Sequence, residues 1–179
     1  MSPLKPDLVV LCAADAPRYR AVMLHAYEHA ADAFTSTAEE RAREPDTWWI
    51  RRVADPAGMT AAFGAVQGAD LVGTVALEFS AKPKTRHLAV VVGMYVMPGW
   101  RGQGLARQLL QAAIDHCVAR GDILALQLTV TEGNDAASRL YRELGFSQFG
   151  LEPMALLTPS GFKSKLHMWR RIASRPPAA

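Results

Sequence analysis

Cysteine is scarce in this chain of 179 residues, with Cys12 and Cys117 the two present. They stand far apart without metal-ligand spacing, so neither a disulfide framework nor a zinc site is expected, and both read as small core residues. Charge of one sign is not in excess either. Twenty Lys and Arg against 17 Asp and Glu leave a net +3, and with no clustered basic stripe this gives no nucleic-acid footprint. Long hydrophobic runs are also missing. The longest, residues 87–98, contains a His and a Gly and falls short of the about 20 apolar residues that cross a bilayer. The opening Met-Ser-Pro-Leu-Lys-Pro is followed by no apolar segment of the secretory kind. A soluble, cytoplasmic protein with no membrane partner is therefore expected. There is no internal repeat and no low-complexity tract apart from residues 174–179, which are expected to fray. With half the residues hydrophobic and 21% charged, a single globular domain over residues 1–173 is the simplest organisation.

The periodicities predict a strand over residues 8–12, then a helix over 16–30 introduced by Asp15 and Pro17. Two short helices, 37–43 and 46–53, each open on a capping-type residue, with Pro45 between them. Residues 60–66 and 71–79 read as strands joined by a hairpin-length loop, hence antiparallel. Residues 87–96 are apolar at nearly every position, the pattern of a strand buried on both faces in mid-sheet. Helical spacing over 102–120 puts Ala106, Leu109, Leu110, Ala113 and Cys117 on one face. A strand over 123–130 follows, then a helix over 135–144 with Ala136, Ala137, Leu140, Tyr141 and Leu144 together. Weaker strand patterns occupy 146–154 and 165–172. The order implies an α/β fold: a mixed, mostly antiparallel central sheet of about six or seven strands flanked by helices, with a parallel crossover through the helix after Gly102. An edge strand near residues 165–172 would be the place for a second copy to pair in a homodimer.

The segment Val96-Met97-Pro98-Gly99-Trp100-Arg101-Gly102-Gln103-Gly104-Leu105-Ala106-Arg107 carries the chemistry. A buried strand ends there, a turn rich in glycine follows, and a long helix begins. The first N–H groups of a helix lack internal partners and sit at the positive end of its dipole, so phosphate oxygens are favoured ligands. Arg101 and Arg107 would add charge at the edge of such a site. By spacing alone, the glycines serve equally well to make a tight turn. A dinucleotide fingerprint is not met, because Arg107 stands where its third Gly belongs, and a phosphate-loop lysine is missing.

Arg101, Gly104 and Ala106 fill the pattern Arg or Gln, two residues, Gly, one residue, Gly or Ala. Downstream stands Asn134-Asp135-Ala136-Ala137-Ser138-Arg139-Leu140-Tyr141-Arg142-Glu143-Leu144-Gly145-Phe146. In these two segments the chain resembles the GNAT superfamily of acyl-CoA-dependent N-acetyltransferases, and the resemblance extends over residues 8–172, weakest after Gly150. It implies acetyl-CoA as co-substrate, no metal, and direct transfer of the acetyl group to an amine on a small molecule or peptide. It implies that the pantetheine arm runs along Met94, Tyr95 and Val96, past a bulge that Gly93 permits. The pyrophosphate would lie over Arg101, Gly102, Gln103, Gly104, Leu105, Ala106 and Arg107. Asn134 would help hold the arm, and Tyr141 would give a proton to the departing thiolate. Read without the family, Tyr141 is a core aromatic beside Leu140 and Leu144, and Asn134 a helix cap.

Many relatives carry a general-base Glu on the central strand, but residues 87–96 hold no acid. Glu78 and His87 are candidates by position. The acceptor would meet residues 28–46 and 150–165, where Glu39, Glu40, Glu44 and Glu152 are available to attract a cationic amine. The missing strand acid motivates a rival reading, a non-catalytic acyl-CoA-binding sensor or regulatory module, which would bind acetyl-CoA without turnover. A nucleotide-binding domain is a third. His25 and His29 around Glu28 have helical metal-pair spacing without a third ligand, and Asp115-His116-Cys117 is triad-like in composition only. The basic stretch Lys82-Pro83-Lys84-Thr85-Arg86-His87 is a candidate contact for the 3′-phosphate of CoA.

Overall fold

A computed structural model describes residues 5–172, so the tail expected at 174–179 lies outside the described residues. Strand β1 (Asp7–Val10) leads to helix α1 (Ala16–His29), whose buried residues Tyr19, Val22, Met23, Ala26 and Tyr27 recur at helical spacing. Helix α2 (Ala38–Ala42) is only five residues long. A reciprocal cap holds its start: Thr37 Oγ1 accepts from the Glu40 amide at 3.1 Å, and the Glu40 carboxylate accepts from the Thr37 amide at 2.7 Å. Pro45, in extended conformation, separates it from α3 (Asp46–Ala54). Next come β2 (Thr60–Gln67), β3 (Asp70–Phe79), β4 (Leu88–Val96), α4 (Leu105–Arg120), β5 (Ala125–Thr131), α5 (Asp135–Glu143), β6 (Ser147–Thr158) and β7 (Gly161–Arg171).

The strands form one seven-stranded mixed sheet in the order β1-β2-β3-β4-β5-β7-β6. Only β4 and β5 run parallel, joined through α4. Helices cover both faces. Alternate residues of β3 and β4 point to opposite sides, so Ala76 and Tyr95 join Tyr19, Met23 and Trp49 under α1 and α3. Leu77 and Val96 instead join Leu109, Leu110 and Ile114 under α4.

Several expectations need correction. Helix α4 begins at Leu105 rather than 102, because Gly102 and Gly104 take φ of +75° and +74°, which no right-handed helix contains. β7 is paired on both sides, by β5 and β6, so residues 165–172 present no edge to a second copy; β6 is the edge strand at that end of the sheet and β1 at the other. β6 and β7 form a long hairpin closed at Pro159 and Ser160, so the strands extend well beyond the expected 146–154 and 165–172. The register shifts between Gln148 and Gly150 and between Glu152 and Leu156, with Met154 at φ 53°, which breaks the alternation by which strands are recognised. Cys12 is exposed, not a core residue, while Cys117 is buried. On α5 Ser138 is buried and Ala136 exposed, so the inward face is turned from the one expected. No helix among the described residues is long and apolar enough to cross a membrane.

Candidate active site

The site follows from how β4 and β5 part company. They pair only through Leu88–Val90 and Ala125–Gln127; beyond that β4 stays with β3, and β5 stays with β7 through Thr131. Val90, expected to be buried, is 37% exposed although it is paired on both sides, with Glu78 and Gln127. The β3–β4 register runs from Thr74↔Tyr95 to Ala76↔Val92, so β4 carries one extra residue, a bulge at Gly93 with φ +61°. A Cβ there would sit 3.0 Å from the Tyr19 hydroxyl. Gly93→Ala is therefore expected to lower the melting temperature by roughly 2–8 °C, from about 1–2 kcal/mol of left-handed strain. Calorimetry checks this, and an unchanged midpoint would show that the bulge is not held by its glycine.

A cleft of about 260 Å³ opens between the diverging strands. Val91, Val92, Gly93 and Met94 form one wall, Thr129, Val130 and Thr131 the other, and Asn134, Ala137 and Tyr141 of α5 close one side. A wider cavity of about 560 Å³ shares Ala33, Thr131 and Asn134 with it and includes Glu28, His29, Asp32 and Glu132. The Tyr141 ring is buried, yet its hydroxyl makes no hydrogen bond to any described residue. Burial pushes that hydroxyl up to about 12. Asn134 unites both of its sequence readings: Oδ1 caps α5 by accepting from the Ala137 amide at 3.3 Å, and the same side chain lines the cleft.

Residues 101–107 lie past the end of β4. Among the described residues, the N–H groups of Gly102, Gln103, Gly104, Leu105, Ala106 and Arg107 have no backbone acceptor, the first internal bond being Gln108 N–H to the Gly104 carbonyl at 3.1 Å. Two left-handed glycines and a helix N-terminus thus expose consecutive donors, the arrangement of an anion nest. The two arginines are engaged elsewhere. Arg101 Nε donates to the Val96 carbonyl at 2.9 Å and its guanidinium lies 5.3 Å from the centre of the Tyr95 ring, while Arg107 is ion-paired with Glu143. The donors of the turn that have no partner among the described residues are thus its amides. Tyr95 points away from the cleft, its hydroxyl 3.0 Å from His25 Nδ1.

The Acetyltransferase (GNAT) family profile matches residues 23–146. The chain belongs to the GNAT acetyltransferase family. It is 29% identical over 101 residues to the L-amino acid N-acetyltransferase AaaT of Escherichia coli K12, covering 56% of this chain and 61% of that one. To the N-alpha-acetyltransferase RimI of Mycobacterium tuberculosis it is 36% identical over 89 residues, 49% of this chain and 52% of the other. These matches thus span less than two thirds of either relative. Among solved structures, a phosphinothricin acetyltransferase from Sinorhizobium meliloti in complex with acetyl-CoA superposes with TM-score 0.81 at 18% identity, covering 97% of this chain and 92% of that one. An acetyltransferase-fold protein YncA from Salmonella typhimurium, with acetyl-CoA as cofactor, gives 0.78 at 19% identity, 97% and 98% covered. At these identities the structures establish the fold.

Several candidates for this GNAT chain fall outside the cleft. Glu78 is ion-paired with Arg52 and does not line it. His87 precedes the far end of β4, where its carbonyl accepts from the Leu124 and Ala125 amides. The basic stretch 82–87 lies at that end too, roughly 26 Å along the strand from Val96 at about 3.3 Å per residue, out of reach of the glycine turn. Glu39 pairs with Arg43, Glu40 closes the cap on Thr37, Glu44 pairs with Arg41, and Glu152 lies 2.9 Å from His167 Nε2; none lines the cleft. His25 and His29 stack at 4.0 Å, and among the described residues no group of three or more His, Cys, Asp or Glu is arranged to hold a metal ion. Burial pushes the Cys117 thiol up to about 11, and Asp115 bonds Gln111, so that segment is structural. Arg41 and Lys165, which line the cleft, fall within the ranges 28–46 and 150–165 expected to meet the acceptor, whereas Tyr27 and Arg52 lie outside them, and none of the four carried a signal of its own because they come from four separate elements.

Proposed function

We propose that this GNAT protein is an N-acetyltransferase that moves the acetyl group of acetyl-CoA directly to an amine, within one domain over residues 1–173. The observation that carries the reading is the conjunction of an unpaired β4 edge, a turn of free amides beyond it, and a buried tyrosine with an unpartnered hydroxyl. Acetyl-CoA, when bound, supplies a thioester whose acetyl carbon an amine attacks as the carbon–sulfur bond breaks. The backbone of Met94, Tyr95 and Val96 offers strand-like pairing to the pantetheine arm, although the Val96 carbonyl already accepts from Arg101. The amides of residues 102–107 suit the pyrophosphate, and the free Nδ2 of Asn134 suits the arm.

Tyr141 would serve at the leaving sulfur. With its hydroxyl held up to about 12, well above an ordinary thiol near 8.5, its part is to donate a hydrogen bond to the developing thiolate rather than to give up its proton outright. No carboxylate or imidazole among the described residues lines the narrow cleft, but Glu28, His29, Asp32 and Glu132 line the wider cavity that adjoins it, so the proton of the attacking amine would pass to water there. The relatives' names, one for an L-amino acid and one for N-alpha-acetylation, point to different acceptors.

The test is a melting experiment with acetyl-CoA, CoA, ATP or NAD at equal concentration, followed by CoA release with a panel of amines. A ligand at 100 times its Kd adds about 2.7 kcal/mol, which raises the midpoint of a domain this size by about 5–11 °C. A rise confined to the CoA compounds, then CoA release with an amine, is the expected result. A shift without release for any amine would favour the acyl-CoA sensor instead, and a shift with ATP or NAD alone would favour the nucleotide reading.

A further inference from the structure

The charged side chains that line the cleft are all cationic. Arg41 of α2, Arg52 of α3 and Lys165 of β7 line it, and no Asp or Glu among the described residues does. Their partners only partly neutralise them. Arg41 meets Glu44 at 3.2 Å, Arg52 pairs with Glu78, and Lys165 Nζ donates to the Thr35 hydroxyl at 2.6 Å. Three cations thus face two carboxylates, both outside the cleft lining. The indole of Trp48 packs against both guanidiniums, whose carbons lie 4.5 Å (Arg41) and 5.3 Å (Arg52) from its ring centre. Such contacts orient planar guanidinium forks.

Charge of this sign is wrong for drawing in a bare cationic amine and right for a carboxylate, which two guanidiniums bind with directional, charge-assisted bonds. We propose that the acceptor is a small amine that also bears a carboxylate, the anion held by Arg41 and Arg52 with Lys165 nearby, and the amine directed to the bulge at Gly93. This rests on the transferase reading above. The bond made is between the amine nitrogen and the acetyl carbon; the bond broken is carbon to sulfur, with the amine's proton passing to water and CoA leaving as thiol or thiolate. The carboxylate takes no part in the bond changes.

The experiment compares free amino acids with their carboxamides as acceptors for the whole protein, at saturating acetyl-CoA, by CoA release. Rates are taken per unprotonated amine, since amidation lowers the pKa of the neighbouring amine. For at least one side chain the acid is expected to exceed its amide in kcat/KM by about 10- to 100-fold, the worth of charge-assisted hydrogen bonds. Arg41→Gln and Arg52→Gln should each shrink that ratio while the KM for acetyl-CoA stays unchanged. If Arg52→Gln fails to fold because Glu78 is left unpaired, the double variant with Glu78→Gln removes both charges. Amides acetylated as fast as acids would overturn the anion site and leave the transferase standing. Protein that binds acetyl-CoA yet releases CoA with neither member of any pair would also overturn it; if the wider amine panel is equally inert, the transferase reading falls too.

Discussion

Replacing Tyr141 by phenylalanine will lower kcat by about 10²–10³-fold, the worth of one hydrogen-bond donor to developing negative charge, while changing acetyl-CoA affinity no more than a few-fold. The ring is buried beside Phe146, with centroids 6.0 Å apart, and phenylalanine preserves that packing. What is lost is one hydroxyl that has no partner among the described residues, so no internal hydrogen bond breaks. Stability should hold, and the deficit should be confined to the step in which negative charge grows on sulfur. A hydroxyl held up to about 12 stays protonated through the neutral and mildly alkaline range, so it contributes no alkaline fall in rate below about pH 10. Wild type and Tyr141→Phe should accordingly show pH profiles of the same shape at different heights. A variant with wild-type kcat would remove Tyr141 from the chemistry and return it to the core.

The second large effect is expected at Gly104. Its φ of +74° strains any side chain, but space is not limiting: the heavy atom nearest to a Cβ at this position would be Gln108 Nε2, at 3.9 Å. Gly104→Ala therefore isolates the backbone cost of about 1–2 kcal/mol, seen as a lower melting point with CoA affinity largely kept. Gly104→Glu adds a carboxylate at the N-terminus of α4, beside the free amides of residues 102–107. That carboxylate competes for the donors and opposes a second anion, at a cost of several kcal/mol. The Kd for CoA should rise at least about 100-fold relative to the alanine variant in titration calorimetry. Equal affinities for the two variants would mean that the pyrophosphate lies elsewhere.

What was legible in the sequence was local. The glycine turn announces itself because left-handed residues and unpartnered helix-start amides depend on neighbours within a few positions, and Gly102 and Gly104 do take that conformation. Asn134 and Tyr141 are singled out by the family resemblance, since by themselves they read as a helix cap and a core aromatic, and one short helix with its cap carries both to the cleft. Even there the inward face of α5 departs from its periodicity by one position, with Ser138 in and Ala136 out, since a nine-residue helix packs by its contacts and not by its mean spacing. In β6 the bulges around Gly150 and Met154 change which side chains face inward partway along the strand. Phe149, Leu151, Met154 and Leu157 are all exposed, so a simple alternation could not be followed.

Residue pattern alone was enough for the α/β class, the parallel crossover through α4 and the glycine turn before it, because each arises from backbone propensity and hydrophobic spacing within one or two adjacent elements. Tertiary packing decided the rest. The insertion of β7 between β5 and β6 made β6 an edge and brought Lys165 to the cleft, and the packing of α2 and α3 about Trp48 set Arg41 and Arg52 beside it while turning Glu78 to Arg52. Strand order and the meeting of charges from distant elements are settled by which apolar surfaces bury together. A strand's own pattern shows which of its faces is buried, but not the neighbour it is buried against.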